Sequence, residues 1–131
     1  MSTSGNTVVI DAPIRDSGNS GSAYVIEKSL VDGASTWPHM SKLVFLGTTD
    51  GGLFGRAVSI DGDTIVVGAR DDADVGTPVN PGSVCVLVRD ATDGTWVQTD
   101  TLGAFGGLMG GHLGSSVETS GNIIVVGAYK L

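Results

Sequence analysis

Three aspartates, Asp71, Asp72 and Asp74, stand close together in the longest polar connection of this 131-residue chain. Clustered carboxylates offer hard oxygen donors, which suit a hard cation or a polar ligand. A calcium loop also needs a turn glycine and a completing glutamate at set positions, and neither stands at that spacing here. The spacing therefore predicts a solvated acidic loop, with no tight calcium site and no other cofactor. His39 and His112 have no Cys, His or Glu neighbour at zinc spacing. No ordered set of nucleophile, base and acid is identifiable, so the chain reads as non-catalytic. Trp37 and Trp96 have faces suited to sugars, but they hold the same position in two internal copies, which favours packing. Cys85, between Val84 and Val86, reads as a small buried hydrophobe. The stretch from Gly103 to Gly114 contains neither a dinucleotide fingerprint nor a phosphate-loop lysine.

The elements that must carry these residues are strands. The chain holds 21 Gly, 17 Val, 7 Ile and 12 Thr, against two Glu, three Lys and one Gln. β-Branched residues lose rotamer freedom in a helix and pack well on a pleated surface. That balance excludes a helical bundle, and 40% apolar content without a G-X-Y period excludes full disorder and collagen. The formal net charge of −7 comes without any Lys/Arg cluster, which argues against a nucleic-acid surface. The longest apolar runs, such as residues 123–128, are too short to span a membrane. The opening residues lack the basic stretch of a signal peptide. A single cysteine excludes an internal disulfide framework.

Three segments read almost alike: Gly5-Asn6-Thr7-Val8-Val9-Ile10-Asp11-Ala12, Gly62-Asp63-Thr64-Ile65-Val66-Val67-Gly68-Ala69 and Gly121-Asn122-Ile123-Ile124-Val125-Val126-Gly127-Ala128, spaced by 57 and 59 residues. Gly21-Ser22-Ala23-Tyr24-Val25 likewise returns as Gly82-Ser83-Val84-Cys85-Val86, Trp37 as Trp96, and Gly55 as Gly114. The offset changes only in polar connections, as in a repeated structural unit. Each unit holds four strand-like runs: Gly55 to Ile60, ending at the Asp61-Gly62 turn; Thr64 to Ala69; Ser83 to Arg89; and a run opening at Trp96. Apolar content falls from the first two runs to the last, which predicts inner strands packed between neighbours and a wet outer strand. Four strands in a period near 58 point to β-propeller blades rather than a solenoid coil or an immunoglobulin-like sandwich.

These residues resemble the FG-GAP repeat, the blade unit of integrin α-chain propellers and of many extracellular microbial and algal proteins. The likeness rests on Phe54-Gly55, Val66-Val67-Gly68-Ala69-Arg70, Gly82-Ser83-Val84-Cys85-Val86 and Trp96. It recurs as Leu113-Gly114 with Gly127-Ala128-Tyr129, and as Asp11-Ala12-Pro13 with Gly21-Ser22-Ala23-Tyr24-Val25. Arg70 and Tyr129 replace the proline that Pro13 supplies, and Phe105-Gly106 stands eight residues before the aligned Leu113-Gly114. Where integrin-type blades often carry a calcium loop, this chain has only Ser4-Gly5-Asn6, Asp61-Gly62-Asp63 and Ser120-Gly121-Asn122, so the metal site is not carried over.

The resemblance implies an all-β, incomplete propeller of about two blades, with four antiparallel strands to a blade. The expected division is a partial blade over 1–46, a complete blade over 53–103 and a partial blade over 112–131. His112 aligns with Leu53 and reads as a tolerated residue at the start of a strand. The implied role is recognition of a protein or glycan partner, adhesion-like, outside the cell or at its surface. The contact surface would be the loop holding Asp71, Asp72 and Asp74, with Asp16 and Asn19 in its shorter counterpart. Two other roles remain open: an accessory portion of a larger secreted hydrolase or lyase, and a subunit that joins copies of itself head to tail. The register favours a piece of a longer propeller, because a purpose-built subunit would start at a blade boundary.

Overall fold

The computed structural model describes residues 1–12, 21–31, 33–43, 53–70, 81–103 and 111–128. Ten strands lie in them: β1 (Ser2–Ser4), β2 (Thr7–Ala12), β3 (Ser22–Val31), β4 (Ala34–Leu43), β5 (Phe54–Asp61), β6 (Thr64–Ala69), β7 (Ser83–Arg89), β8 (Trp96–Gly103), β9 (Leu113–Ser120) and β10 (Ile123–Ala128). They form three antiparallel sheets in chain order, β1-β2-β3-β4, β5-β6-β7-β8 and β9-β10. Neighbouring strands are consecutive in sequence because each is joined to the next by a short turn or a polar connection. The turn between β5 and β6 shows why: Asp61 pairs with Thr64, and Gly62 between them takes φ +56°, which L-residues with a side chain rarely adopt.

Successive sheets stack face to face. The inner strand β5 lies against β1, β2 and β3, and β9 lies against β5, β6 and β7. Between the first two sheets Val9, Ala23, Val25 and Leu43 meet Phe54, Ile60, Ile65, Val67, Cys85 and Leu87 in one apolar cluster. The alternate residues Val66, Val84 and Val86 are also buried, so both faces of the second sheet are covered. This is an all-β fold of propeller-like blades, with no closed barrel among the described residues.

Burial is deepest in the middle strands β6 and β7, not in the innermost strand. β5 mixes buried, half-buried and exposed residues, and β8 is nearly all exposed. An innermost strand has a neighbour on one edge only, so the expected steady fall from inside to outside becomes a maximum at the centre of the blade.

Cys85 sits in the apolar cluster at 1% exposure, and burial pushes its thiol up to about 12. A thiolate is the reactive form, so Cys85 should stay unlabelled by a thiol reagent at pH 8 in the folded chain. Labelling should go to completion once the chain is unfolded in urea, read by mass spectrometry.

Candidate interaction site

The residues expected to form a contact surface, Asp71, Asp72, Asp74, Asp16 and Asn19, all lie outside the described residues. The places where their loops rejoin the sheets are described, and each is bridged to the next sheet. Gly21 bridges Phe54 and Gly82 bridges Leu113, each in parallel, so the residue that follows each loop is tied to the first strand of the next sheet. The Leu113 N–H also donates to the Pro81 carbonyl at 2.9 Å. At the same joints Leu53 and His112 adopt φ +51° and +50°, a left-handed conformation unusual for residues with a side chain. Hydrogen bonds hold both: Arg56 N–H donates to the Leu53 carbonyl at 3.1 Å, and the Ser115 hydroxyl to that of His112 at 2.5 Å. His112 thus performs the backbone role of Leu53, as a strand-start residue. The side chain of His39 is outside the described set.

Gly55 makes the close approach of the sheets possible. It takes φ +85°, and a methyl group built on it would strike the Ser22 carbonyl, whose carbon would lie 2.9 Å away.

At the opposite end of the blades, side chains on the inner strands accept hydrogen bonds from the next sheet. The Ser2 hydroxyl accepts the Ile60 N–H at 3.1 Å, and the Ser59 hydroxyl accepts the Thr119 N–H at 3.1 Å. The Ser4 hydroxyl accepts the Gly62 N–H at 3.0 Å, and Asp61 Oδ2 accepts the Gly121 N–H at 2.6 Å. Ser2 aligns with Ser59 and Ser4 with Asp61, so one pattern occurs at both interfaces. The residues read as a shrunken metal loop therefore join sheets. Their visible trace is a hydroxyl or carboxylate at alternate positions near the end of the inner strand. Ser59→Ala should cost about 1.5 kcal/mol, because it leaves the buried Thr119 N–H without its acceptor. Ser4→Ala, at an exposed site, should cost less, measured by urea unfolding of both variants.

Arg89, at the end of β7, is the polar centre between the first two sheets. Its guanidinium pairs with Glu27 on β3, reaches Asp63 Oδ1 at 3.3 Å and donates to the Thr7 hydroxyl at 3.3 Å. It lies over the Trp96 ring, 4.8 Å from the centroid, a cation–π contact. Sequence reasoning did not find Arg89. The available signal was Glu27, a carboxylate in a middle strand where the second repeat has Val88.

Trp96 packs against the apolar cluster, but Trp37 does not share that role: it is 51% exposed. Identical positions in two copies differ because the first sheet lies against the Trp96 side of the second, whereas no described sheet lies against the Trp37 side of the first. Beside Trp96, a groove of about 440 Å³ opens between β3–β4 and the turn before β8, with Glu27, Lys42, Asp93 and Thr95 among its walls. The Thr95 side-chain and backbone hydrogen bonds hold the Asp93 carboxyl below its ordinary value, at 2.7 and 3.0 Å. The Met1 ammonium, 2.7 Å from Asp11, does the same for that carboxyl. Carboxylates, an ammonium and an indole in one groove can hydrogen-bond a polar ligand. Among the described residues no group of three His, Cys, Asp or Glu side chains is placed to hold a metal ion.

Repeated four-stranded sheets, stacked through the same joints and the same acceptors, define a β-propeller-type protein. The FG-GAP repeat family model matches residues 37–87, so this segment carries an FG-GAP repeat. The matched segment opens in β4 and runs to β7, so the family unit joins the outer strand of one sheet to three strands of the next. No curated protein and no solved structure matches the chain.

Proposed function

We propose that the chain is a non-catalytic recognition scaffold for a protein or glycan partner, displayed outside the cell or at its surface. One observation carries this reading: strands, joints and interface acceptors repeat in register, while the connection before the third strand lengthens from 13–20 in the first sheet to 70–81 in the second. A rigid frame whose variation falls in its connections is how repeated folds present a binding surface. Both loops return to the sheets at the bridged joints, Gly21 with Phe54 and Gly82 with Leu113. The net charge of −7 favours a basic or neutral partner over a nucleic acid. No helix of the described residues is long and apolar enough to cross a membrane.

The test is a glycan array and a panel of purified extracellular-matrix proteins, probed with the 131-residue chain. A second chain carries Asp71, Asp72, Asp74, Asp16 and Asn19 replaced by serine. The expected result is at least one ligand bound by the first chain and lost by the second, with the melting temperature unchanged. Equal binding by both chains removes these loops from the surface, and hydrolysis or elimination of an array glycan overturns the non-catalytic reading.

A further inference from the structure

The groove of about 440 Å³ beside Trp96 lies between the first and second sheets. That volume falls within the roughly 300–1,000 Å³ of small-molecule sites. Strand register builds its first wall: Val25 pairs with Ser41, and Glu27 and Leu43 follow two residues on along β3 and β4, so all four share one face. The second wall is the turn 90–95. The first sheet closes the equivalent hairpin at Val31 paired with Ala34, whereas the second opens it between Arg89 and Trp96. Hydrogen bonds fix this longer turn. The Asp90 N–H donates to the Thr95 carbonyl at 2.7 Å, and the Gly94 N–H to that of Asp90 at 2.9 Å. The turn thereby holds Asp93 and Thr95 at the groove.

The chemistry of the walls selects the ligand. Val25 and Leu43, at 2% and 3% exposure, form an apolar floor that Trp96 extends. Arg89 neutralises Glu27, and Lys42 on the first wall balances Asp93 on the second, so the charges at the groove cancel. An ion would lose hydration there for no net attraction. A neutral ligand that carries hydroxyls beside apolar C–H faces suits both the floor and the polar groups above it. Both Thr95 bonds to Asp93 fall on Oδ1, which fixes the carboxylate and leaves Oδ2 to accept from a ligand.

We propose that this groove binds one or two rings of a neutral sugar, with Asp93 as the main acceptor of its hydroxyls and Ser41 as a second contact. The groove is distinct from the loops that hold Asp71, Asp72, Asp74, Asp16 and Asn19, so this inference and the proposed role of those loops fail separately.

The test is titration of the Trp37→Phe chain, in which Trp96 is the remaining indole, with lactose, cellobiose, maltose and methyl mannoside at millimolar concentration. Glucuronate and glucosamine supply an anionic and a cationic ring. The expected result is a saturable change in Trp96 emission with at least one neutral sugar, and no saturation with either charged ring. Asp93→Ala should weaken that binding about tenfold, through loss of one charge-assisted hydrogen bond. Ser41→Ala should weaken it less. The chain with its five loop residues replaced by serine should bind as the parent does. If Asp93→Ala lowers the melting temperature, Asp93→Asn, which keeps an acceptor for Thr95, takes its place and should still bind more weakly than the parent. The absence of a saturable change with every neutral sugar overturns the proposal, as does tighter binding of a charged ring. Parent affinity in the Asp93 variants overturns it too. Loss of binding in the loop-replaced chain puts the sugar at the loops, and likewise overturns it.

Discussion

Gly55→Ala is expected to remove about 4 kcal/mol of stability, a large share of the roughly 5–15 kcal/mol that keeps an ordinary domain folded. Two costs add at this position. A residue with a side chain at φ +85° is strained by roughly 1–2 kcal/mol. The new methyl group also meets the backbone of Ser22, which is itself fixed in the β2–β3 pairing and cannot swing aside as a flexible side chain would. Overpacking against a fixed group costs roughly 1–3 kcal/mol. Gly62→Ala separates the two terms, since φ there is +56° but nothing lies within 4 Å of the new atom. It should cost only about 1 kcal/mol, the strain alone. Urea unfolding of both variants decides the matter, and equal losses would show that the joint at Ser22 is not where the sheets are held.

Arg89→Met should lower stability by about 2 kcal/mol, equivalent to a fall in melting temperature of about 8 °C for a chain of this size. The loss arises on the first sheet: Glu27 keeps a carboxylate oxygen with no access to solvent, and its cation is gone. The figure is below that for a fully buried pair because the two side chains are 27% and 34% exposed, and water screens them in part. Asp63, at 76% exposure, adds little. Adding Glu27→Gln to Arg89→Met should return about half of the loss, because a neutral amide costs less to leave unpaired than a carboxylate. Arg89→Lys should fall between the two, since an ammonium cannot reach Glu27 and Thr7 while lying flat over Trp96. Thermal melts of the four chains test this, and a double variant no better than Arg89→Met would place the effect elsewhere.

The strand order could be read from the sequence with little error. Gly5, Gly62 and Gly121 recur before runs of Val and Ile, and each marks a hairpin between the innermost strand and its neighbour. Cys85 could be placed in the interior from its two valine neighbours. The interface side chains could not. Ser2, Ser59 and Asp61 look like the polar ends of exposed turns, and become acceptors only when another sheet brings its N–H groups to them. Trp37 and Trp96 show the limit most plainly, as one is exposed and the other packed at the same position of the repeat.

Local chemistry alone settled that this protein is made of repeated antiparallel strands, because glycine at a turn and β-branched residues along a strand act over a few residues of chain. Only the tertiary structure decided which faces meet, that Arg89 joins two sheets through Glu27, and that Val125 lies bare where Val66 is covered. Those outcomes depend on groups some 60 residues apart arriving at hydrogen-bonding distance. The placement of one stiff sheet on another decides that, and no residue's own preference contains it.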